Sequence, residues 1–274
     1  MPELPEVETI CRMLLPNVQG KKIESTTVFL DRMVKTPAAA EFKMLTEGRS
    51  INGIRRRGKY IIFGLSSGYE LIVHLRMTGQ LIFLRDNSQE IKYIRIRFDF
   101  CDGSSLVFAD LRTLGVLYLV KENDSSNIKG LYSMGPEPLS DNFSIEYLQK
   151  TLLKKRGRIK SFLLNQQNIG GLGNIYADEA LFCAGIRPDR LTTELNNDEI
   201  TKLYNAVNNV IVAGIDDGGT TFSDYRDGNG NKGRHQDNLY VYQRTKQPCR
   251  KCHTIIERTV IGGRSSHYCP ECQK

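Results

Sequence analysis

The chain has 274 residues, 40% of them hydrophobic, which is enough for two domains of ordinary size with their own cores and excludes a disordered chain. Its 38 Lys and Arg against 31 Asp and Glu leave a net charge of +7 and a pI near 9.0, a balance that suits a polyanionic partner without identifying one. No apolar run approaches the ~18 residues of a membrane span, and the N-terminus is acidic rather than basic and then apolar, so the expected location is the cytosol.

Between residues 5 and 15 the apolar side chains of Val7, Ile10, Cys11, Leu14 and Leu15 recur at helical spacing, with Glu3, Glu6 and Glu8 at the dipole-favoured start. Pro16 and Gly20 mark the expected end of this helix. Strand patterns follow at 22–30, 51–55, 59–65, 69–74, 80–84, 93–99, 105–110 and 116–120, several strictly alternating and joined by Ser-Gly, Thr-Gly and Asp-Gly turns. Short strands at this spacing imply an antiparallel β-sandwich or barrel of about 100 residues.

Two prolines and a glycine in Gly135-Pro136-Glu137-Pro138 interrupt either kind of element, and a domain boundary is expected there. Helical patterns occupy 144–155, 159–165, 175–184 and 197–213. The stretch 216–238 is rich in Gly, Asp and Asn and is expected to be a mobile loop of unusual length. The division expected is 1–134 for an N-terminal catalytic domain, 135–223 for a helical domain, and 224–274 for a loop and zinc-finger segment.

Cys11, Cys101 and Cys183 sit among apolar neighbours and are expected to be small buried hydrophobes. Cys249, Cys252, Cys269 and Cys272 form two C-x2-C pairs at zinc-ribbon spacing. A reducing cytosol disfavours disulfides, and four thiolates close a tetrahedral shell, so one structural Zn2+ with no open position is expected. His253 and His267 are then surplus. Ile261-Gly262-Gly263-Arg264 between the pairs is expected to form a hairpin tip that offers Arg264 to a DNA groove.

Gly170-Gly171-Leu172-Gly173-Asn174 opens a helix and can present backbone N–H groups and the Asn174 amide to a phosphate, although a tight helix connection would use the same glycines. At the extreme N-terminus, removal of Met1 exposes the secondary amine of Pro2. With an α-amino pKa of ~8, on the order of a tenth of that amine is uncharged near neutrality, and that part is nucleophilic. Glu3 beside it could serve as general acid and base. The bland alternative is a helix start with acidic residues on its dipole.

Taken together, residues 2–9 (PELPEVET), Arg56-Arg57-Gly58-Lys59-Tyr60, His74-Leu75-Arg76-Met77-Thr78-Gly79, residues 170–176 and the four-cysteine ribbon resemble formamidopyrimidine-DNA glycosylases (Fpg), in family order from Pro2 to Lys274. The resemblance implies an α+β multidomain fold: an N-terminal β-sandwich with flanking helices, a helix-two-turn-helix DNA-binding domain and a zinc ribbon, with DNA between domains. It implies a monomer that acts on duplex DNA containing oxidised bases. The implied activity is excision of 8-oxoguanine and formamidopyrimidines followed by β,δ-elimination. Pro2 matches the nucleophile, Glu3 the acid/base, and Glu6 a carboxylate near the active site. Lys59 matches the lysine at the lesion nucleotide and its phosphate, while His74, Arg264, Lys160 and Asn174 match phosphate contacts. Met77, Arg112 and Leu114 match the side chains that fill the gap left by the flipped base.

Three departures stand out. Asp110-Leu111-Arg112-Thr113-Leu114-Gly115 has Leu114 where the family usually has Phe, which leaves Leu114 either a wedge or a core residue at a strand start. A His-x-His pattern of many relatives is replaced around Lys92 and Tyr93, and Gly233-Arg234-His235-Gln236 lacks the usual Phe of the loop over the flipped base. The rivals are an endonuclease VIII-like enzyme for oxidised pyrimidines, whose N-terminus typically has Gly where this chain has Leu4, and a non-catalytic lesion-binding or accessory zinc-ribbon protein.

Overall fold

A computed structural model describes residues 1–86, 88–124, 128–222, 228 and 231–274. These fall into two compact units, one of Met1–Tyr132 with Asp217–Gln236, the other of Ser133–Asp216 with Asp237–Lys274. Residues 217–236, which the sequence pattern divides between its second and third regions, therefore pack with the first unit.

The first unit opens with helix α1 (Leu4–Val18), whose Val7, Ile10, Leu14 and Val18 are fully buried at helical spacing. Burying each such side chain contributes about 1.5–3 kcal/mol. The helix does not stop at Pro16. A proline in the last turn forfeits only the hydrogen bond to the carbonyl four residues back, and the Asn17 side-chain amide caps the Met13 carbonyl at 2.8 Å. Strands then dominate the chain from Ile23 to Lys121. Strands β1 (Ile23–Val28), β7 (Ile94–Phe100), β8 (Ser105–Asp110) and β6 (Gly79–Leu84) form one sheet in that order. The second sheet runs β2 (Val34–Thr36), β9 (Val116–Lys121), β5 (Tyr69–His74), β4 (Tyr60–Leu65) and β3 (Ile51–Arg57).

All pairings are antiparallel except β2 with β9. Phe63, Val73 and Leu117 from one sheet and Phe98, Phe100 and Phe108 from the other share a single core with α1 and with Phe42 of α2 (Ala39–Thr46). This is the β-sandwich the alternating strands require. Sequence periodicity gives no sign of α2, which spans eight residues and buries only Phe42 and Thr46. Of the three scattered cysteines expected to be buried, only Cys11 is; Cys101, at the turn after β7, and Cys183 are exposed.

A one-turn α3 (Lys129–Tyr132) closes the main run of the first unit. The second unit is helical, with α4 (Ile145–Lys154), α5 (Ile159–Leu164), α6 (Asn174–Ala184) and α7 (Asn197–Asp216). Gly214 lets α7 approach α6 closely, since a Cβ there would lie 2.5 Å from the Tyr176 ring. At the C-terminus β10 (Glu257–Ile261) and β11 (Arg264–Tyr268) pair as a hairpin. Its tip is Gly262-Gly263, both at positive φ (57° and 73°), as a two-residue turn demands. Among the described residues no helix is long and apolar enough to cross a membrane.

Candidate active site and DNA-contacting surfaces

The N-terminus is held in place by Glu6. One oxygen of its buried carboxylate accepts the Glu3 backbone N–H at 2.8 Å, and the other accepts the Thr220 N–H at 2.7 Å. Pro2 and Glu3 are themselves buried, whereas Met1 is half exposed. One turn on, Glu8 bonds Arg56 of β3 at 2.9 Å and Arg12 at 2.8 Å. Burial pushes the Glu8 pKa up, but the two guanidiniums outweigh it and hold the carboxyl below its ordinary value.

Lys59 lies in the two-residue turn Gly58-Lys59 between Arg57 and Tyr60, with Gly58 at φ 55°. It is only 7% exposed, unusual for a lysine at a hairpin tip. Antiparallel register then puts Tyr60 opposite His74, with the rings edge-to-face at 4.5 Å. Burial, reinforced by the Arg76 and Lys59 charges, pushes the His74 pKa down to about 3, so the ring is neutral at physiological pH. Its Nδ1 accepts the Arg76 N–H at 3.0 Å, which leaves the proton on Nε2 as a donor.

Met77, Arg112 and Leu114 come together on two short loops clamped by the buried Asp110. That carboxylate accepts from Thr78 Oγ1, from the Arg112 N–H at 3.1 Å and from the Gly115 N–H at 2.8 Å. Neither loop could carry a larger residue than its glycine: a Cβ at Gly79 would lie 2.5 Å from the Leu75 carbonyl oxygen, and one at Gly115 would lie 2.5 Å from the Phe108 ring. The Arg112 guanidinium reaches the Met77 sulfur at 3.5 Å, and Met77 and Leu114 are 43% and 44% exposed.

Exposure of that order excludes the core alternative for Leu114. A Leu114→Phe variant is expected to bind lesion duplexes up to about fivefold more tightly, since a flat ring adds stacking of about 1 kcal/mol, and to melt with the wild type. Titration of a lesion duplex and a thermal melt check both. Lost stability with no gain in affinity, the signature of overpacking, would refute the wedge.

In the second unit the thiols of Cys249, Cys252, Cys269 and Cys272 lie within 4.8 Å of one another. The Cys252–Cys269, Cys252–Cys272 and Cys249–Cys272 separations are 3.4, 3.4 and 3.9 Å. Sulfurs at the corners of a tetrahedron about 2.3 Å from a metal stand about 3.8 Å apart, so the donor set fits zinc. Cys249 and Cys269 also form a small core with Phe182, Val241 and Ile256. The exposed Arg264 stands at the hairpin tip.

The Gly170 motif serves close packing: a Cβ at Gly170 would lie 2.9 Å from the Gly135 carbonyl oxygen, and Gly171 has φ 85°. Asn174 opens α6 and donates its amide to the Ser265 carbonyl at 3.0 Å, joining α6 to β11. Lys160 requires a correction. The resemblance assigns it to a phosphate, but its side chain is fully buried, with the ammonium held by the Asp178 carboxylate and by the Asn174 carbonyl at 3.1 Å. The other oxygen of Asp178 accepts the His267 N–H at 3.0 Å and contacts His267 Nδ1 at 2.9 Å. Lys160 thus neutralises the acid that locks β11 onto α6, a charge that would be costly to bury alone. Two bonding residues have roles that the sequence does not disclose: Asp110, which opens the 110–115 motif but clamps its loops only once they fold, and Thr220, which meets Glu6 from 214 residues away.

Family models match three segments: the formamidopyrimidine-DNA glycosylase N-terminal domain over residues 1–117, its H2TH domain over 134–226, and the zinc finger found in FPG and IleRS over 246–274. A formamidopyrimidine-DNA glycosylase of Pelotomaculum thermopropionicum is 44% identical across 100% of this chain and 99% of its own. The chain belongs to the formamidopyrimidine-DNA glycosylase family. Two solved structures make the likeness three-dimensional. A Lactococcus lactis Fpg mutant in complex with a Fapy-dG-containing DNA superposes with a TM-score of 0.92 at 34% identity, and MutM in complex with carbocyclic 8-oxo-G-containing DNA with 0.91 at 34%. Both cover 100% of each chain. The fold expected of an Fpg enzyme, with sandwich, H2TH helices and four-cysteine zinc site, is the fold observed.

Proposed function

We propose that this chain excises 8-oxoguanine and formamidopyrimidines from duplex DNA as a monomer and cleaves the abasic site it makes, with Pro2 as nucleophile. The observation that carries this reading is the buried Pro2-Glu3 pair, pinned through Glu6, in a chain that matches Fpg enzymes from end to end. Once Met1 is removed, the Pro2 nitrogen attacks C1′ of the flipped nucleotide and the glycosidic bond breaks with its electrons going to the base. The attacking nitrogen gives up its proton and the sugar ring opens at C1′–O4′, with O4′ taking a proton, which gives the iminium; a secondary amine reaches it without losing a further proton. Removal of a C2′ proton then expels the 3′ phosphate, and a second elimination expels the 5′ phosphate. Glu3, beside the Pro2 nitrogen in sequence, is assigned to hold and return protons on the sugar.

Lys59, neutral His74 through Nε2–H, Asn174 and Arg264 are assigned to phosphates, and Met77, Arg112 and Leu114 to the vacated stack. Arg112 suits the orphaned cytosine better than the other bases. Zinc, bound by the four thiolates, supplies structure and no chemistry. The site of action is the cytoplasm, on the nucleoid. Duplexes carrying 8-oxoguanine are expected to be nicked faster than the same duplex carrying an oxidised pyrimidine. A reversed order would favour the endonuclease VIII-like alternative, and no nicking of either would leave a binding protein.

A further inference from the structure

Residues 223–227 and 229–230 of the expected long loop lie outside the described residues, but the stem on either side of them is built in detail. Its two arms, 217–221 and 233–236, are joined by backbone bonds from the Arg234 N–H to the Asp217 carbonyl (3.1 Å) and from the His235 N–H to the Gly219 carbonyl (3.1 Å). Side chains add to this: the Gly233 N–H donates to Thr221 Oγ1, the Thr221 N–H donates to Gln236 Oε1, and Gln236 Nε2 donates back to the Gly233 carbonyl, each at 2.9 Å. Gly233 is obligatory, because a Cβ would stand 2.1 Å from the Gly219 carbonyl oxygen. At the foot of the stem, buried His235 places Nδ1 2.8 Å from the Asp217 carboxylate.

Between the two clasps, the Thr220 N–H donates to Glu6, whose other oxygen holds the Glu3 N–H next to Pro2. The hydrogen bonds therefore run from Asp217 and His235 through the stem to the Glu3 N–H, the peptide next to the Pro2 nitrogen.

We propose that the Asp217–His235 pair is a positioning device for the nucleophile: by closing the stem it fixes the Thr220 N–H, which fixes Glu6, which fixes Glu3 and Pro2. The inference rests on Pro2 being the reacting amine. It separates two kinds of loop function. A loop that only contacts the flipped base affects base release, whereas a strut under the N-terminus affects every step that uses the amine, including cleavage of a site that has no base. Misplacing a reacting group by about 1 Å can cost about 10²-fold.

The test uses the full-length zinc-loaded enzyme in single-turnover assays on an 8-oxoguanine duplex and on a preformed abasic duplex. Asp217→Ala is expected to slow both reactions about tenfold or more while melting with the wild type and binding the abasic duplex as tightly. Asp217→Asn, which keeps an acceptor for the His235 N–H, is expected to restore both to within about twofold of the wild type. An Asp217→Ala enzyme with wild-type rates, or one slow on 8-oxoguanine but normal on the abasic duplex, would overturn the proposal. So would an Asp217→Asn enzyme as slow as the alanine variant, or slowing explained by unfolding at the assay temperature. A wild-type enzyme that cleaved neither duplex would instead count against the proposed function, so the two failures are distinguishable.

Discussion

Pro2→Gly is expected to bind lesion duplex like the wild type and to release base about 10³-fold more slowly or worse, since removing one member of a concerted site costs nearly as much as removing them all. Glycine leaves an amine at the N-terminus, but a primary one on a freer backbone, so both the nucleophile's chemistry and its orientation are lost. A form that keeps Met1 is expected to be equally inactive, because its α-amine is displaced by one residue from the Glu3 and Glu6 framework. Binding titrations alongside single-turnover excision separate these effects. A Pro2→Gly enzyme with near-normal base release would contradict the assignment.

The second large effect is expected on removing zinc, by chelation or by Cys252→Ser. The ribbon's small core includes two of its own metal ligands, Cys249 and Cys269, so it cannot survive on apolar burial alone. Structural zinc supplies about 10–16 kcal/mol to sites of this kind. The sandwich core contains no residue of the ribbon and is expected to stay folded. Loss of Arg264 from DNA is expected to cost about 1–3 kcal/mol in affinity and to flatten the salt dependence by about 0.9 for each phosphate no longer neutralised. Full activity in protein shown by metal analysis to hold no zinc would refute the structural role.

What the sequence discloses follows from how local each feature is. The thiolate pairs, the glycine hairpin tip and the apolar stripe of α1 are encoded within a few residues, and all three are present where the spacing puts them. The end of α1 is not, because a proline tolerated in a last turn looks the same as one that breaks a helix. Helix α2 escapes because two buried side chains define no period. Lys160 is the instructive failure: whether a lysine meets a phosphate or a buried aspartate depends on Asp178, 18 residues on, and on a β-hairpin beyond residue 256. The stem arms at 217–221 and 233–236 read as loop for a similar reason, since side-chain-to-backbone bonds hold much of them together and leave no hydrophobic pattern. That Leu114 is not a core residue shows only in its exposure.

Whether the N-terminal proline forms the covalent bond to the sugar is tested most directly by trapping with borohydride. The enzyme is reacted with an 8-oxoguanine duplex in its presence, digested, and the cross-linked peptide mapped by mass spectrometry. One adduct per chain is expected, on the Pro2 nitrogen of a peptide that has lost Met1, and none with Pro2→Gly. A stable adduct on a lysine, Lys59 above all, or equal trapping by the Met1-retaining form, would contradict the assignment of Pro2 as nucleophile.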